Sequence, residues 1–497
     1  MPPLDPATPD LTPAQRQIAA WALREAAPWR ARGLNWKQAE PAYEKLAAGV
    51  TAVFLFRINK GNVTIEPKPS HADHPRLGWF MRRASMYRQH FQDAAESWCP
   101  DLETTLCVCV DDAPAPDPVF PTFSFQKRAQ EAVILLPDID FLVDDYYENL
   151  IFRDNLPFTH KRNRAFFIGS FTGGLFTAET VKSLSIPRLA AAAHFHNDPD
   201  VEFRMPLQGQ IESPAVAKML AALPYCGGET ATWWEQRENR FLISMDGNGA
   251  TCSRVVISLK SNCVLLKYDS PHRLYYFDGI APWTHYIPIH AHDDVRHTVA
   301  LERAAPGLLA HIPRYANAFV TTYLTRENVL FYTAAVLSQY AMCFAEAAPP
   351  QSGRAGPPTS PVWAVTAHVQ MAGDVFAAAS EWCGTPGSGL WIEGFNISVL
   401  TGPVGTMLEY RVTYPDGTLS PWTRAGQYCG TRGQAQPVAG LSLRLTGPAA
   451  DLLDLSYEAS FIDGSRIGPV GAGEICAAET RSALEAFRIK IEQRPSS

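Results

Sequence analysis

Three short stretches carry residue types suited to holding and activating a ligand. In CVCVDDAPAPDPVFPTFSF (107–125), an alternating apolar strand delivers Asp111 and Asp112 to a proline-rich loop. In open α/β sheets the carboxyl ends of strands face the ligand crevice. A solvated turn cap is the competing reading, because Asp-Asp-Ala-Pro also suits a turn. In RNRAFFIGSFTGG (162–174), a strand runs into a turn bearing Gly169, Ser170 and Thr172, and TAETVKSL continues as a helix. Backbone amides and hydroxyls in such a turn hold a phosphate or diphosphate, or they simply reverse the chain. There is no GxGxxG and no P-loop lysine.

The third stretch is MDGNGATCSRVVISLKSN (245–262). Gly247, Asn248 and Gly249 make a turn after a strand, and Ser253-Arg254 opens a helix. An arginine in a first helical turn opposes the macrodipole unless an anion sits there too. Arg254 therefore fits a diphosphate clamp, with an acidic side chain as its other possible partner. APWTHYIPIHAHDD (281–294) adds His285, His290, His292, Asp293 and Asp294. Their spacing suits a metal poorly, since His285 lies in an apolar run and His290 and His292 are two apart. The expectation is no metal site, with His285 hydrogen-bonded in the core and Trp283 and Tyr286 packed.

These residues need a scaffold, and the chain is long enough for several domains. It has 497 residues, 46% hydrophobic and 19% charged, with net charge −7. That balance gives no help to a nucleic-acid or anionic-membrane partner. No stretch approaches a membrane span. The start lacks a basic segment followed by an apolar one, so a cytoplasmic location is expected. The ten cysteines form no CxxC pair and no tight framework, which suggests reduced, buried thiols.

Up to about 346, short apolar strands (51–58, 105–110, 132–137, 164–170, 240–246, 263–268) alternate with helical stretches (78–98, 186–196, 323–346). This pattern predicts an α/β region with a largely parallel sheet, best divided into two Rossmann-like lobes, 1–155 and 156–346. The segment 347–362 reads as a Pro/Gly/Ser linker. The remainder, 363–497, repeats. Cys383, Cys429 and Cys476 recur at nearly one period, and alternating strands follow at Phe395/Ile397/Val399, Leu441/Leu443/Leu445 and Phe487/Ile489/Ile491. Glycine turns precede each cysteine at Gly373, Gly417 and Gly464. Three β-rich repeats about a pseudo-threefold axis are expected, as in a β-prism or β-trefoil. Trp382 and Tyr428 precede two of the cysteines and Ile475 the third; these aromatics suit either glycan binding or the core.

The order of LKSNCVLLKYDSPHRLYYFDGIAPWTHYIPI, DGNGATCSR, RAFFIGSFTG and VCVDDAP, with RENVLFYTAAVLSQYAMCF, resembles glycosyltransferase family 90 from about residue 50 to 346. That family includes protein O-glucosyltransferases and capsule-associated xylosyltransferases. The resemblance implies a GT-B-like pair of lobes, a UDP-sugar donor, and inversion at the anomeric carbon without an obligate metal or other cofactor. By the same resemblance Asp112 is the catalytic base. Gly169, Ser170 and Thr172 fall on the nucleotide loop, and Arg254 contacts the diphosphate. Ile168 and Phe171 stand where the family often has arginines, and Asp111 where a basic residue is common.

The implied partners are a nucleotide sugar and a glycan or glycoconjugate acceptor, with no nucleic acid. The C-terminal repeats more loosely resemble tryptophan-containing repeats of some clostridial surface proteins and offer a route to oligomers. A non-catalytic glycan-binding protein is the rival reading. A glycosidase is disfavoured, since no second carboxylate is placed as an acid partner.

Overall fold

The computed structural model describes residues 4–66, 74–142, 145–148, 154–250, 252–344, 362–378, 380–401, 407–447 and 450–494. The chain forms two compact units, one of Met1–Pro2, Trp29–Asp111 and Tyr340–Ser497, the other of Pro3–Pro28 and Asp112–Gln339. Except for Val362, the expected linker lies outside the described residues. No helix among the described residues is long and apolar enough to cross a membrane.

The second unit is built on a five-stranded sheet. Its order is Ile287–Ile289, Val264–Tyr268, Asn239–Ser244, Arg162–Ile168, Val201–Arg204, and every neighbouring pair is parallel. Parallel strands are covered on both faces and so read as continuous apolar runs; Phe241-Leu242-Ile243 and Val264-Leu265-Leu266 are buried throughout. On one face Ala165, Phe167, Phe241, Ile243, Leu266 and Ile289 share a core with Ala191 of the helix Pro187–His194 and with Val295 and Val299 of the helix His292–Ala304. The latter helix begins where Asp294 accepts from the backbone N–H of His290 (2.8 Å) and Ala291 (2.9 Å), placing a carboxylate at the positive end of the helix. The expected α/β scaffold, with its parallel sheet and strand–helix alternation, is present here.

The first unit departs from that expectation. Its strand Val53–Asn59 pairs antiparallel with both Asn62–Ile65 and Glu103–Cys109. Lys60 and Gly61 join the first pair with φ of 48° and 80°, the left-handed two-residue turn that matches strand twist in a hairpin. An Asn-Lys-Gly-Asn junction was thus a hairpin signal, and it takes precedence over the parallel reading for this segment.

The same unit contains the C-terminal repeats, folded as three four-stranded antiparallel sheets. The first orders Gly373–Ala378, Val362–Val369, Ile392–Thr401, Cys429–Gly430; the second Thr423–Arg424, Met407–Thr413, Gly440–Thr446, Cys476–Ala477. The third orders Arg466–Gly471, Leu453–Phe461, Leu484–Gln493, Cys383–Gly384. Each sheet borrows its cysteine strand from another repeat, and the first repeat's strand closes the set on the last.

Phe395, Leu441 and Phe487 are fully buried in one core with Cys383, Cys429 and Cys476. Tyrosines bridge the sheets: the Tyr410 hydroxyl accepts from Ile397 N (3.1 Å) and the Tyr457 hydroxyl from Leu443 N (3.1 Å).

Candidate active site

Two of the sequence-selected turns lie side by side, because the strands that deliver them, Arg162–Ile168 and Asn239–Ser244, are parallel neighbours. After the first strand the chain passes through Gly169-Ser170 and resumes as a strand, Phe171–Phe176, and both strands pair parallel with the segment 201–211. The expected turn is thus a two-residue break between strands, and Thr172 sits on a strand. After the second strand, Gly247 N donates to Gly249 O (3.2 Å), and the helix Cys252–Lys260 begins three residues after Gly249. Asn248 Oδ1 accepts from Gly173 N (3.2 Å), tying the turns together.

The principal fastener is a residue the sequence reading did not select. Arg188, in the first turn of Pro187–His194, is buried. Its Nη1 donates to Ser170 O (3.0 Å) and Thr172 Oγ1 (2.7 Å), its Nε to Asp246 O (3.0 Å) and its Nη2 to Met245 O (3.0 Å). One guanidinium thus spans both turns. Gly247 permits the approach: a Cβ there would lie 2.5 Å from Thr172 Oγ1 and 2.9 Å from Arg188 Nη2. The signal was available, since Arg188 follows a proline at the start of an apolar helix, the same macrodipole conflict that singled out Arg254.

Arg254 donates to Gln236 Oε1 (3.0 Å) and to the Ile168 carbonyl, with its guanidinium over the rings of Phe167 (5.2 Å) and Trp233 (5.5 Å). Arg188 lies over the same Phe167 ring at 5.5 Å. Among the described residues both guanidiniums hydrogen-bond only neutral oxygens, so the acidic partner left open for Arg254 is replaced by an amide. Burial, and then the Arg188 charge, bring the Arg254 guanidinium down to about 9; burial brings Arg188 down to about 10 despite Asp246. Two cations, Arg188 buried and Arg254 half-buried, without paired carboxylates form a site short of negative charge. Ser253 lies half-buried in the first turn of the Arg254 helix.

Asp112 is half-buried, and its main-chain carbonyl accepts from Gln126 Nε2. Gln126 is 1% exposed and packs against Gly249. Asp112 is thereby linked to the Gly247–Gly249 turn through a residue that sequence reading passed over. Asp111 pairs with Arg76 (2.9 Å), whose guanidinium also lies over the Trp79 ring at 4.5 Å. Near the arginines, the Asp246 carboxylate accepts from Ser270 Oγ and contacts His272 Nδ1 (2.9 Å).

The histidines of 281–294 have separate partners. Ala281 N donates to His285 Nδ1 (2.9 Å), His290 Nδ1 meets Asp269 Oδ2 (2.7 Å), and His292 Nδ1 meets the Tyr268 hydroxyl (2.8 Å). Among the described residues no group of three or more His, Cys, Asp or Glu is arranged to hold a metal ion. Trp283 corrects an expectation: it is 55% exposed, with φ of 61°, and does not pack. Its backbone N–H is committed to Tyr286 O (2.7 Å), and this tight turn directs its ring outward.

In the repeats, Trp382 is half-buried with Arg466 and Arg488 over its ring at 5.1 and 5.0 Å, and Tyr428 donates to Thr431 O (3.1 Å). The cysteines beside them, rather than these aromatics, enter the core.

A parallel α/β sheet with two anion-poor arginines at its strand ends defines an α/β protein with a candidate anion-binding site. Comparison with known proteins gives the family. Residues 106–352 match the model described as Glycosyl transferase family 90, so the chain carries a glycosyltransferase domain of that family. The match begins within the strand Glu103–Cys109, later than the resemblance near residue 50 suggested, and covers Asp112, the Gly169–Thr172 and Gly247–Gly249 segments and Arg254. No curated protein gives a significant match. Among solved structures, the C-terminal domain of a glycosyl transferase group 1 family protein (LpcC) from Francisella tularensis is 11% identical. That comparison covers 33% of this chain and 86% of the other, with a TM-score of 0.22.

Proposed function

We propose that this protein is an inverting glycosyltransferase of GT-B type, moving a sugar from a UDP-sugar to a hydroxyl of a glycan or glycoconjugate. The observation that carries this reading is the pair of guanidiniums, Arg188 buried and Arg254 half-buried, without carboxylate partners beside the Gly169–Thr172 segment and the Gly247–Gly249 turn. As the glycosidic bond to UDP breaks, charge develops on the departing diphosphate. Fixed donors that need no reorganisation stabilise that charge best. Arg254 is the principal clamp. Arg188 holds Ser170 and Thr172 in place and adds a second charge, so no metal is required for leaving-group stabilisation.

Asp112 is the base in this proposal. An acceptor hydroxyl has a pKa far above 7, so a carboxylate must take its proton as the new bond forms. One displacement with one base inverts the anomeric centre. The transition state has oxocarbenium character, as at other sugar centres.

For organisation the proposal takes 1–155 as the acceptor-side lobe, 156–346 as the nucleotide lobe and 363–497 as a β-repeat module. The three sheets of that module favour a β-prism over a β-trefoil. The module is read as a glycan-binding or oligomer-forming appendage, and the protein as cytoplasmic.

The test is calorimetry and thermal shift with UDP, UDP-glucose, UDP-xylose, UDP-N-acetylglucosamine and GDP. Stabilisation by uridine nucleotides, lost in Arg254→Ala, supports the transferase. No response to any nucleotide, with glycan binding retained, supports the non-catalytic rival.

A further inference from the structure

Gln126 is a buried amide whose nitrogen is hydrogen-bonded and whose oxygen is not. The Asp112 carbonyl requires a donor, which fixes Nε2 toward it and leaves Oε1 buried with no partner among the described residues. Leaving a buried acceptor unsatisfied costs about 1–3 kcal/mol. A methionine would fill the same volume without that cost. What the glutamine adds is the bond to Asp112.

Gly249 is matched to this amide. It does not have the left-handed φ that would demand glycine. A Cβ there would instead lie 1.9 Å from Gln126 Nε2 and 2.2 Å from Oε1, within the amide itself. The absent side chain of Gly249 is the seat of the Gln126 amide. Two residues away, Gly247 also leaves no room for a side chain against Thr172 and Arg188. The contacts therefore run unbroken from Arg188 and Thr172, through the Gly247–Gly249 turn, to Gln126 and the backbone of Asp112.

We infer that Gln126 is a positioning residue that couples the diphosphate end of the site to the segment carrying the base, so that occupation by the donor nucleotide sets Asp112. This rests on the reading of Asp112 as base and of the turns as the nucleotide site. Gln126 acts through the Asp112 main chain and is not itself a catalytic residue. A displacement of the Gly249 turn moves the amide seated on it, and the hydrogen bond carries that displacement to Asp112.

The experiment compares wild type, Gln126→Met, Gly249→Ala and Gly249→Ala/Gln126→Ala. It measures UDP affinity, UDP release from UDP-glucose and hydrogen exchange at the amides of 112–117. Gln126→Met keeps the volume and loses the donor. It should leave UDP affinity nearly unchanged and lower turnover about tenfold, the effect of roughly one lost hydrogen bond on the transition state. Gly249→Ala should weaken UDP binding. In the double variant the space is restored, so affinity should recover while turnover stays low.

In wild type, UDP should slow exchange at 112–117; in Gln126→Met it should still bind without that protection. Unchanged turnover and protection in Gln126→Met, or a double variant as weak for UDP as Gly249→Ala alone, would overturn the coupling. Should wild type bind no UDP, the proposed function fails on its own. The coupling is then decided by exchange without nucleotide, where faster exchange at 112–117 in Gln126→Met supports it and unchanged exchange refutes it.

Discussion

The parallel sheet within 162–289 and the three antiparallel sheets of 362–493 bury their apolar strands in different ways. In the repeats one solution is used three times, and equivalent positions do equivalent work: Phe395, Leu441 and Phe487 all enter the core. In the parallel sheet the core is equally apolar, but the polar contacts at its strand ends occur once each. Arg188, Gln126 and Asp246 have no symmetry mates, and each joins segments distant in sequence. Repetition exposes what packing requires, whereas unique polar contacts mark where the fold departs from packing alone.

The repeats are informative even where they differ. Glu393 and Glu485 occupy equivalent positions and are 3% and 2% exposed. Glu393 accepts from Gln434 N (2.8 Å) and Ala435 N (3.1 Å), and Glu485 from Gly387 N (2.7 Å) and Gly389 N (3.2 Å). Each carboxylate pins a glycine-bearing loop. The third equivalent is Ala439, and the loop following Cys476 reads Ala-Ala-Glu-Thr-Arg-Ser, without glycine. The glutamate and the glycine-bearing form of the loop occur together.

The largest break in this comparison is expected at Asp112. Asp112→Asn should lower transfer by about a thousandfold or more, as for a group needed at the transition state, and leave UDP affinity intact. Steady-state kinetics beside calorimetry would separate the two. Arg254→Ala should weaken UDP binding by about 10- to 100-fold, the range for a lost charged hydrogen bond. Because the Arg254 guanidinium sits at about 9 without ligand, UDP binding should take up protons and weaken as pH rises above about 9. Affinity measured from pH 7 to 10 checks that sign.

In the repeats, Glu485→Ala should cost about 2–3 kcal/mol in denaturant unfolding by stranding buried donors. Ala439→Glu should be destabilising, since no glycine-bearing loop is there to donate to that carboxylate. Smallest of all, Trp283→Ser should change stability by less than about 0.5 kcal/mol, as at other exposed positions. A larger loss would show that the ring packs after all.

Much of the scaffold was legible in the sequence. The strands at 164–170, 240–246 and 263–268 announced themselves as continuous apolar runs, and the repeats by their period. The N-terminal hairpin was missed because Lys60-Gly61 is a weaker turn signal than Asn-Gly, although the backbone uses it in the same way. At the site, Arg254 was recognisable from its conflict with the helix dipole. Arg188 presented the same conflict amid alanines and passed unnoticed. Gln126 carried no local signal, because its meaning depends on Gly249, 123 positions away, and no periodicity connects them. Trp283 was misjudged for a related reason: hydropathy assigns tryptophan to the interior, while a left-handed backbone turn at that residue decides otherwise.

The most direct test of the central claim is a calorimetric titration with UDP of wild type, Arg254→Ala and Arg188→Ala at pH 7.5, each variant first shown to be folded. The account predicts saturable binding by wild type, with marked weakening in both variants, because the two guanidiniums share one anion. Wild-type binding that survives both substitutions unchanged, or no binding by wild type at all, would contradict it.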